Sequence, residues 1–96
     1  MRYLFIGWCA EGIHDKVWGA IALDSEMHGK VLTVWGRRGK KMQTKMARND
    51  SDLRKLIDSK RRNKGYQEID TARLNHVYPD FQADLEKTAI WETLKL

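Results

Sequence analysis

The sequence of 96 residues predicts a single α+β domain: an antiparallel β-sheet in meander order, one helix packed on it, and an amphipathic helix at the C-terminus. Three observations predict it. Runs rich in β-branched and aromatic residues at 3–10, 17–23 and 30–37 are separated by short polar or glycine-bearing stretches, the pattern of successive hairpins. A helix-start signal, Asn49-Asp50-Ser51-Asp52, precedes Leu53, Leu56 and Ile57 at helical spacing. A second helical stripe begins at Asp80, directly after Pro79.

The elements follow in order. Residues 3–10 are apolar on both faces, as befits a strand covered on both sides. After the turn at Glu11-Gly12, the second run places Val17, Gly19, Ile21 and Leu23 on one face and Trp18, Ala20 and Ala22 on the other. The small residues beside Trp18 leave room for a large neighbour from an adjacent strand. Residues 24–29 are polar and close on Gly29, a loop. In the third run, 30–37, Thr33, Trp35 and Arg37 share one face, Leu32 and Val34 the other. A fourth strand is expected over 42–47. The helix that follows ends in Lys60-Arg61-Arg62 and stops at Gly65, with a short last strand over 66–69. Residues 75–79 read as a connection, because Pro79 holds Tyr78 extended. From Asp80 to the end, Phe81, Leu85, Ala89 and Leu94 share one side of a helix, widened by Ile90 and Trp91. Such a stripe either docks on its own domain or meets a partner, with Phe81, Leu85 and Trp91 as the contacts.

Charge is unevenly spread. The net charge is +5, yet residues 30–64 carry 13 Lys and Arg against 3 Asp, a net +10, while both flanks are acidic. A field of this kind attracts polyanions, although a solvated basic surface has the same composition. Four tryptophans in so short a chain point to stacking or to a tightly filled core. The single cysteine, Cys9, cannot form an internal disulfide, in keeping with a reducing compartment. Trp8 occupies the position where a signal-peptidase site needs a small residue, and no run approaches the ~20 apolar residues of a membrane span. The expected location is cytoplasmic, with no membrane partner.

The stretch Trp35-Gly36-Arg37-Arg38-Gly39 brings an indole and a guanidinium to one strand face at the edge of a turn. An indole stacks on bases, and the guanidinium fork suits phosphate; alternatively Trp35 is packed in the core. If strand end, turn and helix end meet on one edge, Arg37, Arg38, Lys40, Lys41, Lys45, Lys60, Arg61, Arg62 and Lys64 form a basic rim around Trp35 for a nucleic-acid backbone. Signals for catalysis are weak. Cys9, His14 and Asp15 have the residue types of a nucleophile, base and orienter, but a cysteine within an apolar strand is usually inert. His14, His28 and His76 stand apart, with no metal-ligand spacing, Walker loop or dinucleotide fingerprint. The chain is expected to be no enzyme, with no cofactor, metal or small-molecule substrate.

Trp35-Gly36-Arg37, followed by Gly39 and Gln43, then a short helix and Lys64-Gly65-Tyr66, resembles the WGR domain. That family is named for the tripeptide and continues WGRxGxxGQ, a helix and a KGY. The likeness covers about residues 17–69 and departs from the pattern at Met42, where the family has glycine. It implies an antiparallel sheet crossed by a helix, and DNA association rather than RNA. By the same resemblance Trp35 would pack on a terminal nucleotide and Arg37 would hold backbone phosphate or a neighbouring domain. The resulting expectation is a non-catalytic module for nucleic-acid ends or junctions. The alternative is an adaptor or inhibitor that docks on a larger enzyme through the C-terminal helix.

Overall fold

The structure, a computed structural model, describes residues 2–22, 30–63 and 65–88. Strands β1 (Arg2–Cys9), β2 (Lys16–Ala22), β3 (Lys30–Arg37) and β4 (Gln43–Arg48) form the expected antiparallel meander. Helix α1 (Ser51–Asn63) then crosses the sheet, and the two-residue β5 (Gln67–Glu68) pairs with the outer side of β1. The five-stranded sheet runs β4-β3-β2-β1-β5 and is open, with β4 and β5 at its edges. Two short helices follow, α2 (Thr71–Val77) and α3 (Phe81–Glu86). No helix among the described residues is long and apolar enough to cross a membrane.

Alternation along the strands divides the core in two. On the α1 side, Phe5, Trp18, Ala20 and Val31 pack with Leu53 and Tyr66. Phe5 lies opposite Ala20 in the register, and its ring centroid is 5.9 Å from that of Trp18, so the small alanine accommodates the large neighbour. On the other side, Ile6, Val17, Ile21, Leu32 and Val34 pack against Leu74, Tyr78, Phe81 and Leu85 from the α2–α3 segment. An irregularity at Leu4 in β1 lets Tyr3 join this second layer, its ring 6.3 Å from that of Phe81. Strand β1 is therefore covered on both faces.

Helix α1 begins where the capping signal places it: the Asp50 carboxylate accepts from the Leu53 amide at 3.1 Å. Gly65, just past its end, sits at φ +72°, a conformation that glycine adopts without a Cβ penalty. Helix α2 is a departure from the sequence reading. Residues 75–77, expected in a connection, belong to this helix, and Asp70 caps it by accepting from the Arg73 amide at 2.7 Å. Seven residues with two buried apolar positions, Leu74 and Val77, carry too little periodicity to reveal a helix.

The C-terminal helix needs a larger correction. Instead of continuing from Asp80, α3 ends at Glu86, and the Thr88 hydroxyl donates to the Leu85 carbonyl at 2.7 Å. Residues 89–96, including Trp91 of the expected stripe, lie outside the described residues, as do Leu23 and the loop at 24–29. Tyr78 donates a hydrogen bond to Asp84, joining the start of this segment to α3. Burial, with that bond second, pushes the Tyr78 phenol up to about 12, which keeps the donor protonated at neutral pH.

Leu85 is completely enclosed, whereas Leu56 on α1 is 41% exposed. Leu85→Ala should therefore destabilise the fold by about 2–5 kcal/mol in denaturant unfolding. Leu56→Ala should stay within about 0.5 kcal/mol of the parent. Equal effects from the two would remove α3 from the core.

Candidate nucleic-acid interface

The site is built by the register of β2, β3 and the edge strand β4. Trp18 on β2 stands directly opposite Trp35 on β3, and Lys16 directly opposite Arg37. Thr33 is paired with Lys45 on β4, and its hydroxyl donates to the Lys45 carbonyl at 2.8 Å. All six side chains belong to the α1 face. Helix α1 rests on this face through buried Leu53 and half-buried Ile57, leaving a groove beside Leu56 and Lys60.

The groove has a volume of about 430 Å³. Trp18, Trp35 and Tyr66 supply its aromatic wall, and Lys16, Arg37, Lys45 and Lys60 its charge; no Asp or Glu among the described residues lines it. Lys60 Nζ lies 5.6 Å from the centroid of Trp18 and 5.8 Å from that of Tyr66, and Lys16 Nζ also lies 5.8 Å from Tyr66. Two ammonium groups thus share one tyrosine ring, held by its π-face. Burial, with a smaller contribution from Cys9, raises the Tyr66 phenol above its ordinary value, so the ring stays neutral. Trp35 is half-buried: it packs against the α1-side core and also borders the groove.

The ten residues expected to form one basic rim are separated by the fold. Trp35, Arg37, Lys45 and Lys60 come together in the groove. Arg38, one residue past the strand end, turns to the opposite face. Its guanidinium donates to the Val77 carbonyl at 2.6 Å and to Asp15 at 3.2 Å, and lies 5.4 Å from the Trp8 ring centroid. It is a structural tie between the β3–β4 turn and α2. Arg61 is bound to Glu68 at 3.0 Å and Asp58 at 3.5 Å and covers the Phe5 ring. Lys40 and Lys41 border a second recess of about 330 Å³ with Met42, Asp84, Lys87 and Thr88 on the α3 side. Arg62 is exposed on α1, and Lys64 lies outside the described residues.

The expected partner contacts are corrected as well. Phe81 and Leu85 are 2% and 0% exposed, sealed in the core beneath α3, so neither presents a surface. Trp91 is outside the described residues. Cys9 is buried on the α1 face, and the Asp15 carboxylate is given to Trp8 and Arg38. Among the described residues, no group of three or more His, Cys, Asp or Glu is placed to hold a metal ion.

Sequence reasoning missed Lys16, Trp18 and Tyr66 as groove residues. A signal was present for the first two, since Lys16 and Trp18 share a strand face by alternation. Gly36, within β3, packs closely against residues 41 and 42 beyond the turn. A Cβ there would come within 3.2 Å of Met42 Sδ and 3.3 Å of the Lys41 carbonyl. Met42, the departure from the WGR pattern, is a core residue at 4% exposure.

The Arg38–Asp15–Trp8 tie makes a pH prediction. The Trp8 indole N–H, donating at 3.0 Å, and then the Arg38 guanidinium hold the Asp15 carboxyl below its usual 3.8, against the opposing effect of desolvation. A depressed folded-state value stabilises above the unfolded-state pKa, and that contribution is lost as pH falls through the lower, folded-state value. Asp15→Asn should therefore lower the melting temperature at neutral pH, and its difference from the parent should shrink once pH drops below 3.8. A difference independent of pH would show that the charge on Asp15 contributes nothing.

Compared with family models, with curated proteins and with solved structures, the chain matches none of them.

Proposed function

We propose that this chain is a non-catalytic nucleic-acid-binding module whose contact surface is the groove between α1 and the sheet. The observation that carries the proposal is the convergence of Lys16, Arg37, Lys45 and Lys60 around Trp18, Trp35 and Tyr66, with no acidic side chain among the described residues of the lining. Cations from four separate elements meet there: β2, β3, β4 and α1. Like charges placed opposite one another, as Lys16 and Arg37 are, oppose folding, and a bound polyanion would relieve them. The aromatic residues add sequence-tolerant stacking, so the mode proposed is led by phosphate rather than by base edges.

The resemblance to the WGR domain points the same way and favours DNA over RNA. Trp35 and Arg37 of its tripeptide and Tyr66 of its KGY border the same groove although they are far apart in sequence. The surface proposed is narrower than a continuous basic rim, since Arg38 and Arg61 are held by Asp15, Glu68 and Asp58.

The test is a fluorescence-anisotropy titration with blunt duplex, nicked duplex and single-stranded oligonucleotides at two salt concentrations. Affinity should fall steeply with salt, and Arg37→Gln or Lys45→Gln should each reduce the log–log slope by about 0.7–0.9. Trp35→Ala should weaken binding by about 1–3 kcal/mol while the circular dichroism spectrum stays folded. Absence of binding to every oligonucleotide at low salt would reject the proposal.

A further inference from the structure

A duplex presents base edges in its grooves, while its base faces are covered by their stacked neighbours. An indole can stack on a base only where the base is unpaired or terminal. The groove's volume of about 430 Å³ is that of a small-ligand site, since pockets for such ligands span ~300–1,000 Å³. Within it Trp35 is half-exposed, while Trp18 and Tyr66 are 3% and 7% exposed and form a closed back wall. A base therefore has one accessible aromatic surface, that of Trp35. The cations surround this surface in number. A terminal phosphate brings a charge of about −2 and a nucleoside triphosphate about −4, and the lining offers basic side chains from four elements to meet it.

We propose that the groove is a site for one unpaired nucleotide carrying a di- or triphosphate, so that free nucleoside triphosphate binds there and competes with single-stranded nucleic acid. The inference rests on the reading above for its location, but not for the length of its ligand. The base lies against Trp35, and the phosphates reach Lys16, Arg37, Lys45 and Lys60. Lys16 and Lys60 both lie 5.8 Å from the centre of the Tyr66 ring, which brings both ammonium groups to the part of the groove that the phosphates would enter. Arg37 adds a planar fork for a second phosphate. Binding leaves all covalent bonds intact.

Titration of the full chain by tryptophan fluorescence with ATP, AMP and inorganic tripolyphosphate tests the idea. ATP should bind at least ~10-fold more tightly than either AMP, which carries about half the charge, or tripolyphosphate, which lacks a base. The double variant Lys16→Gln/Lys45→Gln should weaken ATP by at least ~10-fold. Lys30→Gln, exposed at the start of β3 and absent from the groove lining, should leave ATP binding unchanged. ATP should also displace a labelled single-stranded oligonucleotide. Equal binding of ATP and tripolyphosphate would overturn the inference, reducing the groove to an unselective cationic patch. Salt-sensitive oligonucleotide binding without any ATP binding up to about 1 mM would overturn it while leaving the nucleic-acid reading intact. Selective ATP binding without oligonucleotide binding would uphold the nucleotide site and reject that reading, together with the competition drawn from it.

Discussion

The register of β3 between β2 and β4 is the constraint on which the rest of this molecule depends. Side chains alternate, so every odd-numbered residue from Val31 to Arg37 faces α1 and every even-numbered one faces α2–α3. A slip of one residue would bury Arg37 beneath α3 and expose Leu32 and Val34 on the groove side. The two cores make such a slip prohibitive, because Leu32 and Val34 are fully enclosed on one face and Val31 is 1% exposed on the other. The same pairing sets Trp18 beside Trp35 and Lys16 beside Arg37. Core packing thus fixes the geometry of a charged surface to which it contributes no charge.

Helix α1 is attached to that surface in an unusual way. Leu53 and Ile57 join it to the core, and its C-terminal half reaches the sheet through cations over rings: Lys60 over Trp18 and Tyr66, Arg61 over Phe5. Each such contact contributes roughly 0.5–2 kcal/mol, comparable with a buried methyl or two. Lys60 therefore both helps to dock the helix and borders the groove. Arg61 has a different position, because Glu68 and Asp58 anchor it beside the β5 edge.

Much of this fold was legible in the sequence because its signals are local. Alternation in residues 17–37 gave the strand faces, Asn49 to Asp52 gave the start of α1, and Gly65 gave its end. The bounds of β3 agree with the sequence reading residue for residue. The short helices were less legible for a physical reason: α2 and α3 are held by contacts to the sheet through Leu74, Val77, Phe81 and Leu85, and two apolar positions define no period. The amphipathic stripe from Phe81 was read correctly as apolar, but its burial is a tertiary fact that no stripe reveals. For the site, composition identified the basic segment but not how the chain would divide it. Arg37 and Arg38 are neighbours in sequence and opposites in space, one bordering the groove and the other tied to Asp15 and Val77.

That division bears on how the groove keeps its charge. A strand end rich in cations would ordinarily acquire a carboxylate partner, and Asp15, immediately before Lys16, is the nearest acid in sequence. Its carboxylate is turned to the other side of the sheet, where Trp8 and Arg38 take both oxygens. The acid is thereby committed to a structural tie, and Lys16 and Arg37 remain paired with each other across the strands. Opposed like charges cost stability in an empty sheet. The cost is tolerable here because the aromatic faces offset part of it, Tyr66 taking two ammonium groups at once. Turning that acid away and seating cations against ring faces keeps Lys16 and Arg37 on the groove side of the sheet without Asp15 beside them, and that placement is what makes the groove attractive to anions.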